Sequence, residues 1–234
     1  MKVFSQLFFP FKIFFLLGLF IIYGVVPGFA HTVNYDFSNM SGTDIGLAYL
    51  KLGYQHIIPL GVDHILFILS IFLLSPNLKK VIWQATAFTI AHSITLGLAM
   101  YGFIKPVSAI VEPVIALSIV LVAVENLITQ KLQPWRVLII FGFGLVHGMG
   151  FAGALTGLGL PENQFLTAIL TFNLGVEMGQ ISVILIAYFL VGFWFGSKPW
   201  YHSRIVIPFS LVIALIALYW TIERTSATLY PSSF

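Results

Sequence analysis

His56-Ile-Ile-Pro-Leu-Gly-Val-Asp-His64-Ile-Leu-Phe-Ile-Leu-Ser-Ile-Phe-Leu-Leu-Ser75 sets two opposed demands side by side. Its first nine residues hold two histidines, an aspartate, a proline and a glycine, and the eleven that follow carry no charge at all. Either the polar head lies in the core of a water-facing globule, or the whole stretch enters a membrane. Composition decides between them. Of 234 residues, 59% are hydrophobic and 8% charged, and the mean hydropathy is +1.00. A water-soluble domain carries about 25% charged residues, so this chain lacks the polar surface to cover a globule. The expected fold is an all-α, polytopic membrane helix bundle.

Read outward from 57–75, five further apolar segments lie at about 81–103, 107–129, 135–158, 165–194 and 204–222. The reading is therefore six transmembrane helices in one domain, 57–234. Upstream, residues 31–56 form a short segment in which Ile45, Leu47, Ala48, Leu50 and Leu52 suit an interfacial helix. Pro59 and Gly61 make the start of the first span irregular, which is tolerated at membrane depth only against protein or a water-filled cavity. Loops after the odd-numbered spans hold Lys79, Lys80, Lys131, Arg136, Lys198 and Arg204, whereas the other side holds Lys51, Lys105 and Arg224. That asymmetry predicts both mature termini on the exoplasmic side, the membrane being expected to be a bacterial inner membrane.

Residues 1–30 read as a cleavable signal peptide. Lys2 and Lys12 supply the basic start, Ile13 to Val26 is an apolar run of 14 residues, and Gly28-Phe29-Ala30 ends it with small residues at the processing positions. Cleavage there makes His31 the first mature residue, whose α-amine and Nδ1 can chelate one late divalent ion. The charges elsewhere are scattered singly, with no basic run, which argues against a nucleic-acid partner. Cysteine is absent, so thiolate sites and thiol nucleophiles are excluded.

Ionisable side chains at the centre of a bilayer cost roughly 2.5–3.5 kcal/mol each on insertion scales. His56, Asp63, His64, His92, Glu112, His147 and Glu177 all fall within or beside the apolar segments, together with Glu125, Asn126, Asn173 and Gln180. So many polar groups must face one another, a cavity or an ion. Imidazole and carboxylate suit a divalent transition metal: nickel, cobalt, copper or zinc. Asn173, Glu177 and Gln180 can act together on one helix, and Glu125 with Asn126 marks a separate position near the inner end of span three. Gly144 and Gly148 flank His147, and Gly175 and Gly179 flank Glu177. These small-xxx-small pairs predict close approach of spans four and five. Pro113 frees a backbone carbonyl and predicts a kink in span three. His202 reads as a solvated loop residue.

The segment His56–His64, with Phe88-Thr-Ile-Ala-His92-Ser93, Val111-Glu112, Ala123-Val-Glu125-Asn126, Gly144-Leu-Val-His147-Gly148 and Phe172-Asn173-Leu-Gly175-Val-Glu177, resembles the HupE/UreJ family. So does a signal peptide ending in alanine before a histidine. The resemblance spans the mature chain. It implies a nickel or cobalt permease with the His…Asp-His segment as metal motif, and a metalloenzyme-maturation partner; it also implicates His92, Glu112, His147 and Glu177. Homo-oligomerisation is left open by the sequence. Two other functions are compatible with the residues alone: an intramembrane metal-dependent enzyme, and a haem or copper redox protein with His92 and His147 as axial ligands. No GxxxxGK[ST] loop is present, which argues against ATP hydrolysis by this chain.

Overall fold

The computed structural model describes residues 41–157 and 164–229, all within one compact unit, Asn34–Phe234. The expected signal peptide and His31 lie outside the described residues. Helices α1 (Gly42–Ile57), α2 (Val62–Leu74), α3 (Leu78–Met100), α4 (Ser108–Ile128), α5 (Arg136–Gly157), α6 (Phe165–Ala187) and α7 (Ile207–Leu229) make up the bundle. A π-helical turn at Tyr188–Gly192 carries α6 on to Phe195, and another at His202–Val206 leads into α7. Among the described residues, five helices are long and apolar enough to cross a membrane, and α1 with α2 forms a sixth candidate, bent by 67°.

The bend has a local cause. Pro59 lacks the backbone N–H a helix needs. A Cβ on Gly61 would collide with the His56 carbonyl, so only glycine lets α2 start against the end of α1. The sequence reading expects a surface helix here. The helix does form, but it packs along α6, burying Ile45, Tyr49, Gly53 and Ile57.

Contacts at glycines give the register. Gly42 meets Gln164, Gly53 lies on the Phe172 carbonyl, Gly175 on the Leu50 carbonyl, and Gly179 on Ile57. From Gly42 against Gln164 at one end to Ile57 against Gly179 at the other, residue numbers rise on both helices, so α1 and α6 run parallel. Further on, Phe72 and Pro76 touch Gly192, which lies beyond the far end of α6. α1 and α2 therefore follow α6 from one end to the other: they are one broken crossing, with the break beside the middle of α6.

The same logic places the rest. Gly144 takes Phe88 and Ala91, and Gly148 takes His92 and Thr95, so α3 and α5 are parallel. Thr95 Oγ1 adds a 2.7 Å hydrogen bond to the Leu145 carbonyl. The two glycine pairs thus seat α3 and α1 respectively, not each other's helices as the sequence reading expected; a small residue reveals close approach but not the partner. α4 and α7 are antiparallel, joined by Asn126 Nδ2 to Ser210 Oγ at one end and Thr228 Oγ1 to the Ala109 carbonyl at the other. Ala109 is four residues before Pro113, so Thr228 satisfies the carbonyl that the proline leaves free. α4 runs on unbroken through Pro113.

The exposed faces are apolar: Ile94, Leu117, Leu121, Leu170, Leu211 and Leu215 are each 40–68% exposed. Gln84, His92, Asn126, Arg136, His147, Asn173 and Gln180 are buried. Apolar outside and polar inside suits a bilayer, where water cannot satisfy polar groups.

Candidate metal site

The break in the first span brings three histidines together. His56 ends α1, His64 begins α2 after one further turn of chain, and His92 comes from the middle of α3. One ligand nitrogen from each lies within 4.8 Å of the other two. Two imidazole nitrogens on one tetrahedral ion lie about 3.3 Å apart, given metal–nitrogen bonds of roughly 2.0–2.1 Å. The Nε2 atoms of His56, His64 and His92 are all buried without a hydrogen-bond partner. Buried polar atoms are normally paired, and three clustered histidines that each keep an unpaired buried nitrogen make an ion a natural partner.

His92 shows how such a ring is prepared. The Asn173 amide Nδ2 donates to the Ile169 carbonyl at 2.8 Å, which fixes the side chain. Its Oδ1 is then turned towards His92 Nδ1 at 3.3 Å. Oδ1 can only accept, so Nδ1 carries the hydrogen and Nε2 keeps the lone pair. Ligating histidines are commonly oriented by this kind of bond to the second nitrogen. Around the group, the His56 ring packs on Phe151 at 3.9 Å and His64 lies edge-on to Phe88 at 5.8 Å. These rings exclude water from one side.

The other expected ligands fall elsewhere. Asp63 Oδ2 is held by Arg224 Nη1 at 2.8 Å, so adjacency to His64 turns it to another face. Glu112 is exposed, and Arg224 also donates to its carbonyl at 3.3 Å. His147 is outside the three-nitrogen group, though its ring lies 5.0 Å from that of His64. Glu177 accepts from Thr86 Oγ1 at 2.6 Å, and its other oxygen, Oε2, is buried and unpaired. Gln180 Oε1 accepts from Thr89 at 3.0 Å. The rings of Phe88 and His64 contact both His92 and His147, so a macrocycle between those two histidines would have to displace them.

Glu125 and Asn126 belong to a separate network at the other end. Glu125 Oε2 lies 3.4 Å from Arg136 Nε, and Arg136 Nη2 donates to Asn126 Oδ1 at 3.2 Å. Asn126 Nδ2 donates to the Ser70 carbonyl at 2.8 Å. His202 Nε2 meets the Asn126 and Thr129 carbonyls at 3.1 and 3.3 Å, so it ties the α6–α7 connection to α4 and is not simply solvated. Arg136 is 1% exposed. It is not a loop charge, and the charge asymmetry narrows from six against three to five against three. Thr86, Ser118 and Arg224 also escaped the sequence reading. A hydroxyl in an apolar helix carries no signal of which face it uses, and Arg224 sits near the end of a span where basic residues are ordinary.

Residues 32–224 match the family described as HupE / UreJ protein. No match was found among curated proteins or among solved structures.

Proposed function

This chain belongs to the HupE / UreJ family, and from that premise we propose that it is a permease moving a divalent transition metal ion, nickel or cobalt, across the membrane. The family is associated with nickel and cobalt transport and is of transporter type rather than an enzyme family. The observation that carries the reading is the convergence of three buried or half-buried histidines, His56, His64 and His92, each with one ring nitrogen in the group and each with an Nε2 that lacks a hydrogen-bond partner. Nitrogen-only ligation suits ions late in the divalent series and disfavours magnesium and calcium, which take oxygen. A site at a helix break also suits passage, because the two half-helices can move without unwinding a whole span.

In this reading His31 captures the ion on the exoplasmic side and the three histidines replace its water. Three imidazoles add no negative charge. Glu177, one helical turn from Asn173, is the carboxylate that α6 contributes, and Thr86 Oγ1 holds one of its oxygens at 2.6 Å. Asp63 stays with Arg224 and holds the start of α2 in place. Inward movement of a cation is favoured by about 2.3 kcal/mol per unit charge for each 100 mV of membrane potential. The test is uptake into liposomes holding the purified protein. Wild type is expected to accumulate Ni²⁺ or Co²⁺, and His64→Ala to remain at the level of empty liposomes. Equal uptake by His64→Ala would rule this function out.

A further inference from the structure

His147 is buried, 1% exposed, and its Nδ1 has no hydrogen-bond partner. The reason lies one helix away. Ser118 Oγ donates its only hydrogen to the Ile115 carbonyl at 2.6 Å. The same oxygen lies 3.0 Å from His147 Nε2. With that hydrogen directed to the carbonyl, the shorter of the two contacts, Ser118 is left to accept from His147, an arrangement in which Nε2 carries the imidazole hydrogen and Nδ1 keeps the lone pair. His147 is therefore set up as a ligand through the opposite nitrogen from His92, by a different helix and a different partner.

That lone pair is outside the three-histidine group, yet the His147 and His64 rings are 5.0 Å apart and nearly perpendicular at 81°. Two imidazoles on one tetrahedral ion have ring centres about 5 Å apart, from metal–nitrogen bonds of roughly 2.0–2.1 Å. His64 is 4.6 Å from His56 on its other side. The shared ring thus stands between two groups of donors. Phe67 and Phe88 pack against His147 at 5.3 and 4.9 Å, so His64 is the imidazole among its ring contacts.

We infer that His147 forms a second metal position beside the first, sharing His64 with it, and that Ser118 prepares this position by holding the His147 Nε2 hydrogen. This rests on the permease reading and gives it a step. An ion bound by His56, His64 and His92 passes to His64 and His147 without leaving imidazole, so one exchange of ligands replaces full rehydration. Because His64 serves both positions, only one is fully ligated at a time. Ser118 is a positioning residue here, and His147 a ligand of the ion in transit.

The test is titration of histidine-¹⁵N-labelled protein with Zn²⁺, followed by nitrogen NMR, with His147→Gln assigning the His147 signals. Before zinc, His147 should be protonated at Nε2 and bare at Nδ1. On titration His92 Nε2 should respond first and His147 Nδ1 in a later, weaker phase. In liposomes, His147→Gln should slow Ni²⁺ or Co²⁺ uptake by at least the roughly tenfold lost when even an outer partner of a metal ligand is removed, while binding at the first position persists. Ser118→Ala should let His147 redistribute its hydrogen between the two nitrogens, a change that a merely packing role for the serine would not produce. A His147 Nδ1 that stays unmoved at saturating zinc while His92 Nε2 shifts would overturn this inference and leave the permease reading intact. Simultaneous response of both would make one four-histidine site and equally overturn it. No response from either would remove the metal reading itself.

Discussion

At His92 one hydrogen bond decides which nitrogen faces the site. Asn173 accepts from Nδ1 because its own amide is spent on the Ile169 carbonyl. Asn173→Leu keeps the size and removes the acceptor, so His92 should lose its fixed tautomer and orientation. Zinc or cobalt affinity of the purified protein should fall by about 10–100-fold, as for other lost partners of metal-bound histidines; an unchanged Kd would show that Asn173 does not prepare the ring. At this scale the sequence was informative about residue type. His56, His64 and His92 stood out because ionisable groups in apolar runs need a reason. It could not separate them from Asp63, which is next to His64 in sequence yet committed to Arg224, or from Glu112, which is exposed. Depth along a helix follows from numbering, but the face does not, and Arg224 comes from α7, the last helix described.

Among the elements, the broken first span does the positioning. Pro59 and Gly61 were legible as an irregular start, since neither residue continues a helix. The role of α1 was not. Its 16 residues reach only about 24 Å at 1.5 Å per residue, short for a span, and its partner is marked only by glycines on α6. Gly175 lies on the Leu50 carbonyl, with the Tyr54 nitrogen 2.8 Å from where a Cβ would stand. Gly175→Ala therefore pushes backbone against backbone, and overpacking of this kind costs about 1–3 kcal/mol. Because α1 ends in His56, stability in detergent and metal affinity should fall together. Gly142→Ala is the control, since nothing lies within 4 Å of its added methyl. Loss of stability without loss of metal affinity would separate α1 docking from the site.

For the molecule as a whole, the lack of cysteine offers a clean test of orientation. Lys105 and Lys198 are exposed in loops that the charge distribution assigns to opposite sides of the membrane. In spheroplasts, Lys105→Cys should react with a membrane-impermeant maleimide, and Lys198→Cys only after permeabilisation. The reverse pattern would invert the direction of transport proposed above. Orientation was harder to read than fold, because it rests on a few loop charges and Arg136 turned out to be buried. The fold rests on some hundred apolar residues.

The central claim is that His56, His64 and His92 hold the ion together. X-ray absorption at the cobalt edge of Co²⁺-loaded protein tests it most directly. Imidazole scattering from about three rings is expected, reduced in His56→Ala, His64→Ala and His92→Ala alike. A spectrum with oxygen ligands alone, or one unchanged by all three substitutions, would contradict it.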